Sequence, residues 1–235
     1  KIAHWIIREC FSRRSITPGV TTTTDMEWKY WQTAADLGLE LSFRPFFRII
    51  RSQAAGAARP PEDKTIHPGD LLHCDTGIRY LRLLSDHQEL AYVLRPGETR
   101  LPAGFAQLWG ENRRLQQIFM GEFQAGLSGN ELLGRILARA RQEDIPNPRV
   151  YSHSLGLLLH EPGPLIGLPW EQERCPGRGD VRLVYNTCFT MELSVAGQAE
   201  GWGGQMVRMS TEQDVMFTPQ GCLPIDGVQE EIYLI

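Results

Sequence analysis

The sequence predicts an α+β fold built from two halves of similar layout. In each half, two stretches with apolar residues at helical spacing precede short runs of β-branched and aromatic residues bounded by glycine or proline. No composition break or low-complexity tract divides the 235 residues, and a hydrophobic content of 42% is enough for a sizeable core. We therefore expect residues 1–235 to form one domain.

The first half is predicted to contain two helices followed by strands. Apolar spacing predicts a helix over residues 2–14, and Thr24-x-x-Glu27 predicts a capping box that opens a second helix, which ends near Gly38. The stretch Gln53–Asp63, rich in Ala, Gly and Pro, predicts a loop. Strands are predicted at Leu41–Ile50, Leu71–Ile78 and Gln88–Leu94.

The second half repeats this order. Apolar spacing predicts a long amphipathic helix over residues 105–123, and Ser128-x-x-Glu131 predicts a capping box for a helix that runs to about Arg141. The clearest later strands are Phe189–Val195, Val215–Phe217 and Ile232–Ile235. The tryptophans of the predicted helices are expected in the core: Trp5, Trp28, Trp31 and Trp109.

Charge and cysteine content exclude several classes of protein. A net charge of −4 gives no electrostatic reason to bind nucleic acid or an anionic membrane, and no apolar run is long enough to span a bilayer. Five dispersed cysteines without a CxxC pair argue against a disulfide framework or a zinc ribbon, so buried free thiols are expected. The chain begins at Lys1 without Met, and we expect an N-terminal domain or signal to be absent from this numbering. A cytoplasmic location is favoured, with the periplasm or secretion as the alternative if a signal was removed.

Two carboxylates in predicted strands indicate a cation site. Asp75 and Asp86 lie eleven residues apart, and a hairpin between their strands would bring them together. Asp75 projects to the same side as His73 and Gly77, while Cys74 faces away. Because a buried unpaired carboxylate costs several kcal/mol and two close carboxylates repel, the pair favours a shared cation.

Four downstream residues have suitable chemistry to complete the site: His153, His160, Glu192 and Glu212. Carboxylate and imidazole ligands suit Mn, Co, Fe or Zn. The two histidines are seven residues apart, which differs from the HExxH helix, and they are predicted at a strand end and in a loop. One histidine can then be a ligand while the other handles protons or a substrate oxygen.

These residues resemble the pita-bread metallopeptidase family, which includes methionine aminopeptidase, aminopeptidase P, prolidase and the non-peptidase creatinase. The likeness covers essentially the whole chain and is closest to the Xaa-Pro aminopeptidase and prolidase branch. The matching stretches are Gly-Asp-Leu-Leu-x-x-Asp75-x-Gly, Ser-Asp86, His153-x-Leu-Gly, His160-Glu-Pro, Met-Glu192-Leu and Glu212-x-Asp-Val-x-x-Thr218, with Ile-Thr-Pro-Gly-Val-Thr-Thr near the start and Pro61-x-Asp-Lys-x-Ile before the first Asp motif.

The resemblance implies a pita-bread fold with a curved antiparallel sheet around a central dinuclear metal site. It implies two divalent ions, Mn above Co, Zn or Fe, held by Asp75, Asp86, His153, Glu192 and Glu212, with Asp75 and Glu212 bridging. Glu192 is also the implied general base, and His160 would steady the substrate carbonyl or the tetrahedral intermediate. The implied activity is removal of the N-terminal residue from short peptides, as an Xaa-Pro aminopeptidase or dipeptidase, and the implied assembly is a homodimer.

Three departures from the family pattern leave alternatives open. The loop before the Asp75 strand has Arg59 and no histidine, although the family places a substrate-binding histidine there. Serines flank His153 where the family has glycines. Anchoring the last motif on Asp-Val-x-x-Thr makes Glu212 the ligand, whereas anchoring it on Arg208 puts Ser210 there; we favour Glu212.

Two other functions compete with the peptidase. A creatinase-like enzyme would keep the metal site and hydrolyse a C–N bond of a non-peptide substrate, which the missing loop histidine and Arg59 favour. A non-catalytic binding module would keep the fold with a degenerate site, and the intact ligand set argues against it.

Overall fold

The computed structural model describes residues 1–235 and contains five α-helices and fourteen β-strands. The helices are α1 Ile2–Cys10, α2 Thr23–Asp36, α3 Gln53–Ala57, α4 Ala103–Gly121 and α5 Gly129–Gln142. The strands are β1 Glu40–Leu41, β2 Phe46–Ile50, β3 Leu71–Thr76, β4 Ile78–Tyr80, β5 Leu83–Leu84, β6 His87–Tyr92, β7 Arg149–His153, β8 Leu165–Ile166, β9 Thr187–Thr190, β10 Glu192–Ala199, β11 Gln205–Thr211, β12 Asp214–Thr218, β13 Gly221–Pro224 and β14 Tyr233–Leu234. None of the helices is both long and apolar enough to cross a bilayer.

The elements form two halves, each with its own hydrophobic core. In the first half, α1 and α2 contact the sheet β14-β6-β3-β2 around a cluster of 17 buried residues. In the second half, α4 and α5 cover the sheet β11-β10-β7-β8, and β13-β12-β9 forms a further sheet beside α4. This half holds the larger cluster, of 29 buried residues. A small sheet, β1-β4-β5, lies at the edge.

The central strands β3 and β6 separate the two cores. Leu71 of β3 belongs to the larger cluster, whereas its neighbour Leu72 belongs to the smaller one. Because alternate residues of a strand point to opposite faces, the face that carries Leu71 also carries His73 and Asp75. This face is turned toward the second half, and Cys74 is buried on the other side. The predicted orientation of Asp75 is therefore confirmed.

A backbone pair at the centre of the molecule joins the sheets of the two halves. Gln88 at the start of β6 and Glu212 just after β11 exchange both of their backbone hydrogen bonds, each at 3.0 Å between N and O. Asp75 is paired with Gln88 across β3 and β6. The junction therefore brings residues 75, 88 and 212 to one place in the molecule.

The α+β class and the two-half layout are confirmed, and most predicted elements occur. The Ser128–Glu131 capping box is present, with both reciprocal hydrogen bonds. All five cysteines are free, and four of them are buried. Trp109 is buried, but the core prediction is wrong for three other tryptophans, which lie on exposed faces of α1 and α2: Trp5, Trp28 and Trp31.

Several element boundaries differ from the sequence predictions for local reasons. Helix α1 stops at Cys10 because the hydroxyls of Ser12 and Ser15 both donate to the Glu9 carbonyl, which competes with helix continuation. The first capping box is formed by Thr22 and Asp25, two residues before the predicted pair.

Two segments of the first half also depart from the predictions. The predicted strand 41–50 is broken at Pro45, which lacks a backbone donor. Within the predicted loop, the Ser52 hydroxyl caps the alanine-rich helix α3.

Gly77 has a conformational role next to Asp86. A Cβ atom at this position would lie 2.0 Å from the backbone oxygen of Ser85 and 3.0 Å from the Ser42 side chain. No side chain fits without moving the backbone that leads into Asp86. The glycine therefore allows β4 and β5 to pack closely enough to place this carboxylate.

We expect Gly77→Ala to lower the free energy of unfolding by about 1–3 kcal/mol, the usual cost of overpacking a rigid contact. Gly110→Ala is the matched control, because Gly110 is exposed within α4 and a Cβ there meets nothing within 4 Å. This control should be neutral or raise the stability by up to about 1 kcal/mol. Urea unfolding of the three proteins measures both effects, and equal stabilities would contradict the steric argument.

Candidate metal centre

The predicted site residues converge at the junction between the two halves. Asp86, His153 and Glu212 have ligand atoms that all lie within 4.8 Å of one another, and all three residues are buried. The His153 Nε2 atom lies 3.8 Å from Asp86 Oδ2. One member comes from the first half and two from the second half of the chain.

Asp75 and Glu192 flank this three-residue cluster and are half-buried. Asp75 lies on β3 opposite Gln88, and Glu192 is the first residue of β10, opposite Tyr151 of β7. Both carboxylates act electrostatically on the cluster: after burial, the charges of Asp75 and Glu192 are among the causes that raise the pKa values of Asp86 and Glu212. The structure therefore brings three of the five predicted ligands within ligand distance of one another, and the other two lie within range of their charges.

The pKa values of these carboxyl groups indicate how unfavourable the centre is without a counter-charge. Burial raises the pKa of Asp75 to about 6 and that of Glu192 to about 7. For Asp86 and Glu212, burial and the neighbouring carboxylates raise the pKa well above the ordinary values. Close like charges in a buried site are stabilised best by a shared cation.

Two carboxylate oxygens in the centre are free to take a metal ion. Asp75 Oδ1 and Glu212 Oε1 are buried and have no hydrogen-bond partner in the protein. Buried acceptors are rarely left unpaired, and each one costs about 1–3 kcal/mol. Unpaired oxygens beside an imidazole nitrogen suit a hard or borderline divalent ion. The residues present therefore fit a metal ion.

Gln88, which the sequence analysis did not identify, orients Glu212. Its side-chain Nε2 donates to Glu212 Oε2 at 2.7 Å, while its Oε1 lies 2.9 Å from the Nε2 of His73. Because Gln88 Oε1 is an acceptor, the facing His73 nitrogen must carry the proton, and this fixes the orientation of the amide. The hydrogen bond to Oε2 leaves Glu212 Oε1 turned to the cluster. All three side chains are at least 95% buried.

Arg48 is the cation that faces the carboxylates, and it too was missed. It lies on β2 in register with His73, so it shares a face with Asp75. Its charge lowers the pKa of both Asp75 and Glu192 against the effect of burial. Arg48 therefore supplies a positive charge facing the site, although the loop before β3 has no histidine.

His153 and His160 occupy the predicted kinds of position. His153 ends β7, and His160 lies exposed in the loop that follows, with the two ring centroids 4.1 Å apart. Arg178 holds this loop by donating to the carbonyls of Glu161 and Gly163. Burial is the main cause that lowers the pKa of both histidines, to about 4 for His153. Neutral imidazoles can accept a metal or a proton.

The alternative positions in the last motif are distinguished by their surroundings. Glu212 lies within the buried cluster, whereas Ser210 lines a small cavity of about 130 Å³ next to Glu192. Glu212 follows directly after β11 and pairs with Gln88 at the junction, whereas Ser210 is opposite Ser194 within the sheet. The geometry favours Glu212 as the acidic member of the set.

Comparisons with known proteins agree with this arrangement. The sequence profile of metallopeptidase family M24 matches residues 1–219. The structure is similar to an X-Pro aminopeptidase from Thermotoga maritima MSB8, with a TM-score of 0.71, 21% identity and coverage of 100% of this chain and 60% of that chain. It is also similar to an Xaa-Pro dipeptidase from Bacillus anthracis, with a TM-score of 0.65, 19% identity and coverage of 100% and 60%.

This chain covers a larger share of a smaller similar protein. A methionine aminopeptidase from Thermotoga maritima has a TM-score of 0.65 and 18% identity, with coverage of 95% of this chain and 92% of that chain. The chain thus spans about 60% of the X-Pro enzymes that it matches and nearly all of the methionine aminopeptidase. At these identities the likeness establishes the fold. No curated protein matches the sequence.

The buried carboxylates predict a pH-dependent stability of the metal-free protein. Glu192 has a pKa of about 7 in the folded chain and an ordinary value of 4.5, so the folded chain binds this proton more tightly. The contribution of this proton to the free energy of unfolding is fully present below about pH 4.5 and is lost as pH rises to about 7. With a chelator present, the stability of Glu192→Gln relative to the parent should therefore grow over this range by on the order of 2–3 kcal/mol.

Urea unfolding at a series of pH values measures this difference, and Glu40→Gln controls for the change in net charge at an exposed position. A constant difference between Glu192→Gln and the parent from pH 4.5 to 7 would contradict the assigned shift.

The Gln88 side chain is expected to set the affinity for a divalent ion. Gln88→Met removes the donor that orients Glu212 at nearly constant volume, and loss of such a supporting contact typically weakens metal binding 10–100-fold. Gln116→Met is the matched control, because Gln116 is also buried and donates to Thr211, one residue before Glu212. Calorimetric titration with Mn²⁺ measures the affinities, and equal losses in the two variants would contradict a specific role for Gln88.

Proposed function

The chain belongs to metallopeptidase family M24, and from this premise we propose that it is a dinuclear metal-dependent hydrolase that removes the N-terminal residue from short peptides. The preferred substrates would be Xaa-Pro peptides, and the enzyme would be an aminopeptidase or a dipeptidase. The observation that carries the proposal is the buried cluster of Asp86, His153 and Glu212 at the junction of the two halves, with Asp75 and Glu192 near enough for their charges to act on it. Buried oxygens of Asp75 and Glu212 have no hydrogen-bond partner.

In this proposal two divalent ions would be held by Asp75, Asp86, His153, Glu192 and Glu212. Manganese is the proposed metal, since the ligands are mostly carboxylate oxygens. When bound, such ions polarise the substrate carbonyl and lower the pKa of water. Because ligands come from both halves, we also propose that residues 1–235 act as one catalytic domain. Homodimer formation stays a prediction.

Glu192 is the proposed general base. The oxygen of a water molecule bonds to the carbonyl carbon of the first peptide bond, and a proton of that water passes to the Glu192 carboxylate. The C–N bond then breaks, and the leaving amine nitrogen takes the proton from Glu192. The raised pKa of Glu192, about 7, suits a group that must both accept and return a proton near neutral pH.

His160 is the proposed partner of the substrate carbonyl oxygen. It is exposed beside the buried His153, so it stands at the mouth of the centre rather than inside it. An imidazole N–H placed there can donate a hydrogen bond to the oxygen as negative charge develops in the tetrahedral intermediate. Arg178 keeps the loop in place through the backbone of Glu161 and Gly163.

The proposal predicts that the purified protein, supplied with Mn²⁺, releases the first residue from Ala-Pro peptides. Glu192→Gln should lower kcat by about 10²–10⁴, the usual contribution of a positioned general base. Glu40→Gln makes the same chemical change at an exposed position and should keep full activity. Amino-acid release is measured by chromatography.

Parallel assays separate the alternatives. Faster release from a Met-Ala peptide than from Ala-Pro would assign methionine aminopeptidase specificity instead. Hydrolysis of creatine without peptide cleavage would favour the creatinase-like alternative. Tight Mn²⁺ binding without any turnover would favour a non-catalytic module, and equal activity of parent and Glu192→Gln would refute the assigned base.

A further inference from the structure

Two arginines without an acidic partner lie beside the metal centre. Arg149 on β7 donates only to the backbone carbonyl of Pro169, and Arg208 on β11 donates to the carbonyl of Asn147 and to the hydroxyl of Ser194. Neither forms an ion pair with an Asp or Glu. No carboxylate of the protein therefore neutralises either guanidinium directly.

The sheet register places both arginines on the same face as Glu192. Glu192 is opposite Tyr151, and Ser194 is opposite both Arg149 and Ser210. Directly opposed residues of neighbouring strands share a face, and so do residues two apart on one strand. Arg149 therefore lies one two-residue step from Glu192, roughly 7 Å along the strand. Arg208 is opposite Ala196, two such steps from Glu192, and its side chain reaches back to the Ser194 hydroxyl at 2.8 Å.

These residues line an open cavity next to the proposed base. Its volume is about 130 Å³, and its walls include Arg149, Tyr151, Glu192, Ser194, Arg208 and Ser210. This space can hold a small polar group such as a carboxylate. The lining offers two guanidinium groups and three hydroxyl groups.

The charges of the cavity favour an anion. The guanidinium of Arg208 is partly desolvated, and Arg149 is close enough for the two positive charges to repel. Arg149 is exposed and Arg208 is half-buried, and the repulsion between their guanidinium groups decreases when a negative group binds between them. A carboxylate matches the planar fork of donors on a guanidinium, and serine hydroxyls add further donors.

We propose that Arg149 and Arg208 form a subsite that binds a carboxylate of the peptide substrate close to the scissile bond. This inference rests on the proposed function, because Glu192 at one wall of the cavity marks where the bond is cut. The carboxylate has two sources: the free C-terminus of a dipeptide, or an acidic side chain on the residue that follows the scissile bond. The subsite therefore selects short or acidic substrates.

Three peptides distinguish these sources: Ala-Pro, its C-terminal amide, and Ala-Glu amide. The subsite predicts a KM for Ala-Pro or for Ala-Glu amide at least 10-fold below that for Ala-Pro amide. Arg149→Met and Arg208→Met should each raise the KM of the preferred carboxylate peptide about 10–100-fold, the value of one charge-assisted hydrogen bond. The KM of Ala-Pro amide should change less than 2-fold, which also shows that the variants are folded.

Arg141→Met is the matched control, because Arg141 is exposed on α5 and donates to a backbone carbonyl, as Arg149 does. It should leave all three KM values unchanged. Arg208→Lys keeps the charge without the planar fork, and it should recover part of the loss. Identical KM values for the three peptides, or equal effects of the arginine variants on all of them, would overturn the subsite.

Binding without turnover separates this inference from the proposed function. Calorimetric titration of Mn²⁺-loaded Glu192→Gln with the same peptides should show the same carboxylate preference, lost in Glu192→Gln combined with Arg149→Met. If the parent hydrolyses none of the peptides but this preference is present, the proposed function fails and the subsite stands. If peptides are hydrolysed without any carboxylate preference in binding, the subsite fails and the proposed function stands.

Discussion

The two backbone hydrogen bonds between Gln88 and Glu212 are the contact on which the rest of the site depends. They join a strand of the first half to a strand of the second, although 124 positions separate the two residues in the chain. From this contact Asp86 extends on one side, and Glu212 turns its carboxylate inward on the other. The larger hydrophobic core includes side chains from both halves, so the packing of the whole molecule holds this contact in place.

The acidic centre lowers the stability of the folded chain. Asp75, Asp86, Glu192 and Glu212 lie close together in a largely buried place, and each raises the free energy of the folded chain when it is ionised. Arg48 and the Gln88 amide offset part of this cost, since both lower the pKa of Glu192. Such local instability is typical of functional sites, where the charge pattern suits a bound group rather than the empty protein.

The sequence predicted the α+β class and the order of the chemistry-bearing residues, because strand alternation and motif spacing are local properties. It predicted the Ser128 cap for the same reason, yet it misplaced the first cap by two residues, since Thr22 is fixed by its pairing with the distant Thr65. Some roles could not be predicted from the sequence, because they depend on strand register and on which strands are neighbours. These are the roles of Gln88, Arg48 and the Arg149–Arg208 pair. The exposure of Trp28 and Trp31 has the same origin: an amphipathic pattern does not reveal which face of a helix meets the sheet.

The division of the ligand set between the two halves has a mechanical consequence. An ion held by Asp86 from one half and by His153 and Glu212 from the other would act as a cross-link, and separating the halves would require releasing it. Ion binding and docking of the halves are then thermodynamically linked, so a free ion concentration 100 times the Kd would stabilise the closed arrangement by about 2.7 kcal/mol. Without the ion, the contact between the halves would be weaker, and the chain at the junction would be more accessible to proteolysis.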